Sequence, residues 1–180
     1  MPHEFPTSPW VKVTIDFFCF NGKNYVEVVD YYSKFIEVQL IDSLQATVVI
    51  PAFKSIFARH GIPLDLISDG GPPFNSRDFY YYAKSWNFKH VMFSAKYPKS
   101  NGQVERTLKT VKQIFRETLT DSKDRYFALL LHRATPVLGS IYSLPDLLMN
   151  CKLSTVLPSL TMHKGVQDES YYNYPEKAER

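Results

Sequence analysis

The chain has 180 residues, a net charge of +3 and two cysteines, Cys19 and Cys151. That length suits one domain with its own core, and two cysteines exclude a disulfide framework. No run of about 18 apolar residues is present and the opening MPHEFPTSPW has no signal-peptide pattern, so the reading is an intracellular, non-secreted protein without a membrane partner.

Residues 1–9 hold three prolines and read as an arm leading into the fold. VKVTIDFFCF alternates Val11, Val13 and Ile15 with Lys12, Thr14 and Asp16, a strand pattern. Asn21-Gly22 is a turn dipeptide, and NYVEVVD and KFIEVQLI complete an antiparallel meander over residues 10–41. ATVVIPAFKSIFARHG has helical spacing and stops on Gly61, while Pro51 inside it predicts a kink or a later helix start. LDLIS reads as a buried strand, Ser76 caps a helix through RDFYYYAKSWN, and FKHVMFS reads as a fifth strand. After the loop AKYPKSNG, Ser100 and Gln103 stand at capping-box spacing and start a helix at Asn101 that runs to about Thr118. DRYFALLLHRA is a further amphipathic helix, and Pro145 opens a short one through Met149. The polar segment 151–180 reads as a poorly ordered tail. Three strands followed by alternating helices and strands imply an α/β domain, with a mixed sheet between helical layers, over residues 10–150.

Three acids stand out by position. Asp16 lies inside the first strand, Asp69 closes the fourth in LISDGGPPF, and Glu105 lies one turn into the helix of NGQVER. Carboxylates on three elements are the hard oxygen donors that Mg²⁺ takes, and two such ions support phosphoryl transfer. Each acid also has an ordinary reading. Asp69 before Gly70-Gly71 suits a turn, Glu105 pairs at i+4 with Lys109, and Asp16 suits a hydrogen-bonded corner of the sheet.

The words around the acids are more specific. PWVKVTIDFF, YVEVVDYYSKFIEV, ARHGIP, LISDGGPPF and SAKYPKSNGQVERTLKTVKQ occur in that order. Together they resemble the integrase catalytic core of gypsy-type LTR retrotransposons and retroviruses, over roughly residues 9–150. The family pattern is a strand Asp, an Asp in S-D-x-G-x-x-F and a Glu in S-N-G-x-x-E. Asp16, Asp69 and Glu105 match it, with 35 residues between the last two.

The resemblance implies an RNase H-like fold, a five-stranded mixed sheet flanked by helices. It implies DNA end processing and strand transfer, with two Mg²⁺ (or Mn²⁺) ions. Asp16 would bridge both ions, and Asp69 and Glu105 would each hold one. Element ends and target DNA would be the partners, the nucleus the location, and a core homodimer an expected assembly, with the helical region 101–135 as a surface for it. Lys109 and Lys112 match basic positions that contact the DNA end.

Glu105, Lys109, Lys112 and Arg116 also share one helix face, read here as opposite the stripe of Val104, Leu108, Val111 and Phe115. That face would hold backbone phosphates. Tyr97 and Asn101, in the loop similar to the family's active-site loop, would approach DNA. Residues 94–133 carry nine Lys and Arg against four acids.

The sequence departs from the family at specific places. Gly70 and Pro73 stand in S-D-N-G-P-Q-F, Tyr97 replaces a His before Pro98, and A-Y-R-N-T-P-H survives as His132-Arg133-Ala134-Thr135-Pro136-Val137. The family's zinc-binding N-terminal and DNA-binding C-terminal domains find no counterpart here, so no zinc is expected. The reading is thus an integrase core that is a fragment or a truncated or domesticated copy. A catalytically impaired nucleic-acid-binding or interaction module is the alternative.

Overall fold

A computed structural model describes residues 6–92, 102–120, 124–136 and 140–156; within α3 it leaves out the side chains of 102–105, 108, 119 and 120. The meander forms as its alternation predicts: β1 (Lys12–Phe20), β2 (Lys23–Asp30) and β3 (Ile36–Ile41), with both pairs antiparallel. Helix α1 (Ala46–His60) then leads to β4 (Asp65–Ser68), and α2 (Arg77–Ser85) to β5 (Lys89–Met92). Both later strands join in parallel, giving the order β3-β2-β1-β4-β5. Three helices follow: α3 (Gly102–Thr120), α4 (Arg125–Ala134) and α5 (Leu144–Met149).

Helix α1 begins at Ala46 and carries Pro51 exposed in its second turn, so the later start does not occur. It ends where Gly61, at φ 92°, donates its N–H to the Phe57 carbonyl at 2.8 Å. The positive φ is why the stop falls on glycine. Ser76 accepts from the Phe79 N–H and caps α2 as the sequence suggests. Helix α5 has a capping box between Ser143 and Asp146 that lies outside the sequence reading.

The sheet buries two apolar faces. Val13, Ile15, Val26, Val28 and Leu66 pack with Phe53, Ile56 and Phe57 of α1 and with Phe79 and Tyr82 of α2. Phe20, Tyr25, Val29, Ile36 and Ile67 pack with Val111 and Phe115 of α3. Phe115 is fully buried and meets Phe18, Phe20 and Tyr25 edge-on, at centroid distances of 5.4–5.6 Å. Edge-to-face geometry suits the ring quadrupole, so this residue fixes α3 over β1 and β2.

Two acids, Asp30 buried and Glu37 half-buried, hold the rest of the frame. Asp30 accepts from the Trp10 N–H, the Ser33 N–H and the Ser33 hydroxyl, at 2.9, 2.8 and 2.6 Å. Glu37 on the edge strand β3 pairs with Arg133 of α4 at 3.2 Å and with His60 of α1 at 2.6 Å. The Arg133 guanidinium also donates to the Ile36 carbonyl and lies 4.8 Å from the centre of the Phe35 ring. Burial would raise the Glu37 carboxyl, but the His60 hydrogen bond and the charges of Arg133, His60 and Arg59 outweigh it and hold it below the ordinary value.

Candidate active site on the α3 face of the sheet

Strand alternation decides which residues meet α3. Phe18 and Phe20 of β1 and Tyr25 and Val29 of β2 face the Val111–Phe115 stripe, so Asp16 and Glu27, at the same period of two, face it too. Asp16 and Glu27 are direct register partners. On the other side of β1, Thr14 pairs with Ile67 of parallel β4. Extending that register by two residues sets Asp69 level with Asp16, on strands about 4.8 Å apart. Glu27, Asp16 and Asp69 therefore mark one row across β2, β1 and the carboxyl end of β4. Carboxyl ends of parallel strands are where such sheets place their sites.

Each sheet acid has a defined surrounding. Asp16 Oδ1 accepts from the Phe17 N–H at 2.9 Å, and Oδ2 accepts from Lys112 Nζ at 2.8 Å. Asp69 is exposed and accepts from the Gly71 N–H at 3.3 Å, the turn geometry anticipated for it. A Cβ on Gly71 would stand 3.3 Å from Asp69 Oδ2, whereas one on Gly70 would meet nothing within 4 Å. Just past that turn, Phe74 is buried and stacks on Phe17 at 5.3 Å and 22°. Ser68, before Asp69, donates to the Asp69 carbonyl at 2.8 Å and accepts from Nε2 of His90, also at 2.8 Å. Burial holds the His90 imidazole below its ordinary value, which favours the neutral ring.

Glu105 lies in the first turns of α3, and its side chain is outside the described residues. Tyr97 and Asn101 lie outside them as well, as does the Ser100 cap. Among the described residues no three His, Cys, Asp or Glu side chains converge on one point.

The basic row of α3 differs from the sequence expectation in one respect. At about 100° per residue, Glu105, Lys109, Lys112 and Arg116 centre only about a quarter turn from the Val104–Phe115 stripe, beside it and not opposite it. Lys109 and Arg116 are exposed, and a groove of about 640 Å³ runs along them with Arg106 and Gln113. Lys112 is on the border nearer the stripe, half-buried, and reaches down to Asp16. Two of the nine cations of residues 94–133 point elsewhere: Arg133 is committed to Glu37, and Arg125 lies 5.7 Å from the centre of the Tyr25 ring.

The sequence reading missed Glu27. It is fully buried, and neither carboxylate oxygen has a hydrogen-bond partner among the described residues. Burial pushes its carboxyl up to about 9; the Lys112 charge pulls it back down and the Asp16 charge adds to the rise. The available signal was a lone Glu at an inward position of YVEVVD, opposite Asp16.

No family model matches the chain. Its relatives are nevertheless coherent. The uncharacterized protein K02A2.6 of Caenorhabditis elegans is 36% identical over 113 residues, 62% of this chain and 9% of that protein. The Gag-Pro-Pol polyprotein of human T-cell leukemia virus 2 is 27% identical over 113 residues, 63% of this chain and 8% of the polyprotein. The chain thus spans less than a tenth of the length of the curated relatives it matches. The catalytic core domain of BIV integrase superposes with a TM-score of 0.66 at 20% identity, over 78% of this chain and 95% of that one. The HTLV-2 integrase catalytic core, in a trimeric form complexed with magnesium, gives 0.63 at 21% identity, over 79% and 98%. A chain of the simian T-cell lymphotropic virus intasome, in complex with PP2A regulatory subunit B56 gamma, gives 0.69 at 19% identity, over 91% and 61%.

Proposed function

The chain has the RNase H-like fold of retroviral integrase catalytic cores, and from it we propose an integrase-type polynucleotidyl transferase core, residues 10–150, acting on DNA. The observation that carries this reading is the row on the α3 face. Asp16 inside β1 and Asp69 at the end of β4 come level with each other, and the helix that bears Glu105 packs over β1 and β2 and reaches Asp16 through Lys112. The donor set fits a hard divalent cation: carboxylate oxygens, with an ammonium already drawn to Asp16. Asp16, Asp69 and Glu105 would hold Mg²⁺ or Mn²⁺, two ions by resemblance, and such ions when bound stabilise the charge that develops in phosphoryl transfer.

The protein's own groups then do the positioning. Lys109 and Arg116 project into solvent along the α3 groove and hold backbone phosphates of the DNA end. Lys112 stands between that groove and Asp16. Tyr97 and Asn101, which precede α3 in sequence, are assigned to the same DNA. Lysine and arginine contacts to phosphate fix register without reading sequence, so binding falls as salt rises. A core homodimer through the α3–α4 region and a nuclear location complete the reading; among the described residues no helix is long and apolar enough to cross a membrane.

The test is direct. Incubated with Mn²⁺ or Mg²⁺ and a branched DNA end, the protein joins or resolves strands, and Asp16→Asn or Asp69→Asn abolishes the reaction. Salt-sensitive DNA binding without any strand chemistry would leave a nucleic-acid-binding module in place of the enzyme.

A further inference from the structure

We propose that Glu27 is a further acid of the cation site, on the β2 side of Asp16, and that the Lys112 ammonium, paired with Asp16, occupies part of the position a divalent cation would take there. This rests on the reading of Asp16 as a metal-holding residue, and deepens it.

Three observations carry it. Glu27 is the direct cross-strand partner of Asp16 on the α3 face, where opposed Cβ atoms lie about 4.5–5.5 Å apart. Its side chain is completely buried with both oxygens unpartnered among the described residues. A polar group left so is costly, and its presence calls for a specific reason, an ion among them. The position beside the pair already attracts a cation, for Lys112 Nζ lies 2.8 Å from Asp16 Oδ2 and its charge reaches Glu27 as well.

Partner counting completes the argument. The one ammonium reaches Asp16 and leaves both Glu27 oxygens without a partner among the described residues. A divalent cation bound beside the two acids would take oxygens from both. Hard oxygen donors select Mg²⁺ or Mn²⁺ over softer metals, and loading the site sends the Lys112 side chain outward to the phosphate-facing groove of α3.

The test is Mn²⁺ titration of the full chain, followed by electron paramagnetic resonance of the free ion and by the Mn²⁺-induced rise in melting temperature. Wild type, Asp16→Asn, Glu27→Gln, Glu27→Leu and Lys112→Met are compared. Glu27→Leu suits the buried surroundings and guards against a folding defect, which circular dichroism checks. Both Glu27 variants are expected to bind Mn²⁺ at least about tenfold more weakly, the loss of one good charged ligand interaction. Lys112→Met is expected to bind several-fold more tightly, because no tethered cation competes. If Asp16→Asn loses Mn²⁺ while both Glu27 variants keep wild-type affinity, the role of Glu27 is overturned and the metal-binding reading of Asp16 stands. Lys112→Met binding no better than wild type overturns the ammonium as occupant. No Mn²⁺ binding by wild type at millimolar concentration overturns this inference together with the function it rests on.

Discussion

Lys112 on α3 and Asp16 on β1, 96 residues apart in sequence, are joined by a 2.8 Å ion pair whose side chains are 30% and 36% exposed. Such exposure makes the pair worth little to the fold, about 0–1 kcal/mol. Lys112→Ala should therefore shift the melting temperature by only a degree or two, while DNA affinity falls and the slope of log affinity against log salt drops by about 1. Anisotropy of a labelled duplex across a salt series checks both, and an unchanged slope would remove Lys112 from the phosphate contacts.

Glu27 makes stability depend on pH. Its folded value of about 9 lies above the ordinary 4.5, so the native state holds this proton through a range where the unfolded chain has lost it. Metal-free stability should be highest below about pH 4.5 on this account and decline as pH climbs towards 9. Glu27→Gln flattens that decline and is more stable near pH 7 by on the order of 3 kcal/mol. Urea unfolding of both proteins at pH 5, 7 and 8.5 decides; parallel curves would refute the assignment.

Glu37 works in the opposite sense. Its carboxyl is held below the ordinary value, so it contributes stability above that value and loses it as pH falls through the lowered one. Arg133→Ala leaves this half-buried acid to His60 and Arg59 and leaves the Ile36 carbonyl without its donor. A cost of about 1–3 kcal/mol is expected, with Arg133→Lys intermediate because lysine lacks the planar fork. Thermal unfolding reads it.

The two glycines after Asp69 are not equivalent. Gly70→Asn places at this turn the Asn of the motif that LISDGGPPF resembles and should leave stability unchanged within about 0.5 kcal/mol, since a Cβ there meets nothing within 4 Å. Gly71→Ala crowds the Asp69 carboxylate at 3.3 Å and should weaken Mn²⁺ binding more than it lowers the melting temperature. Equal effects of the two substitutions on Mn²⁺ affinity would contradict the geometry.

Much of this was legible in the chain itself. Period-two alternation and the Asn21-Gly22 turn mark the meander, and Gly61 and Ser76 mark helix boundaries, because these signals are local. The matched words single out Asp16 and Asp69, and the β1–β4 register, carried on two residues past Thr14 and Ile67, sets them level. What the sequence hid was pairing across distance. Arg133 and Arg125 count as basic residues on paper but are spent on Glu37 and on an aromatic face. The α3 cations lie beside the apolar stripe, close enough for Lys112 to reach the sheet. Glu27 looks like one acid in an ordinary strand until the register sets it against Asp16.

The stacked rings of Phe17 and Phe74 have a mechanical consequence. Phe17 follows Asp16 directly, and Phe74 closes the turn that begins at Asp69, with Phe53 and Phe79 packed around Phe74. One aromatic block thus ties the strand that carries Asp16 to the turn that carries Asp69, so shrinking either ring loosens both segments at once.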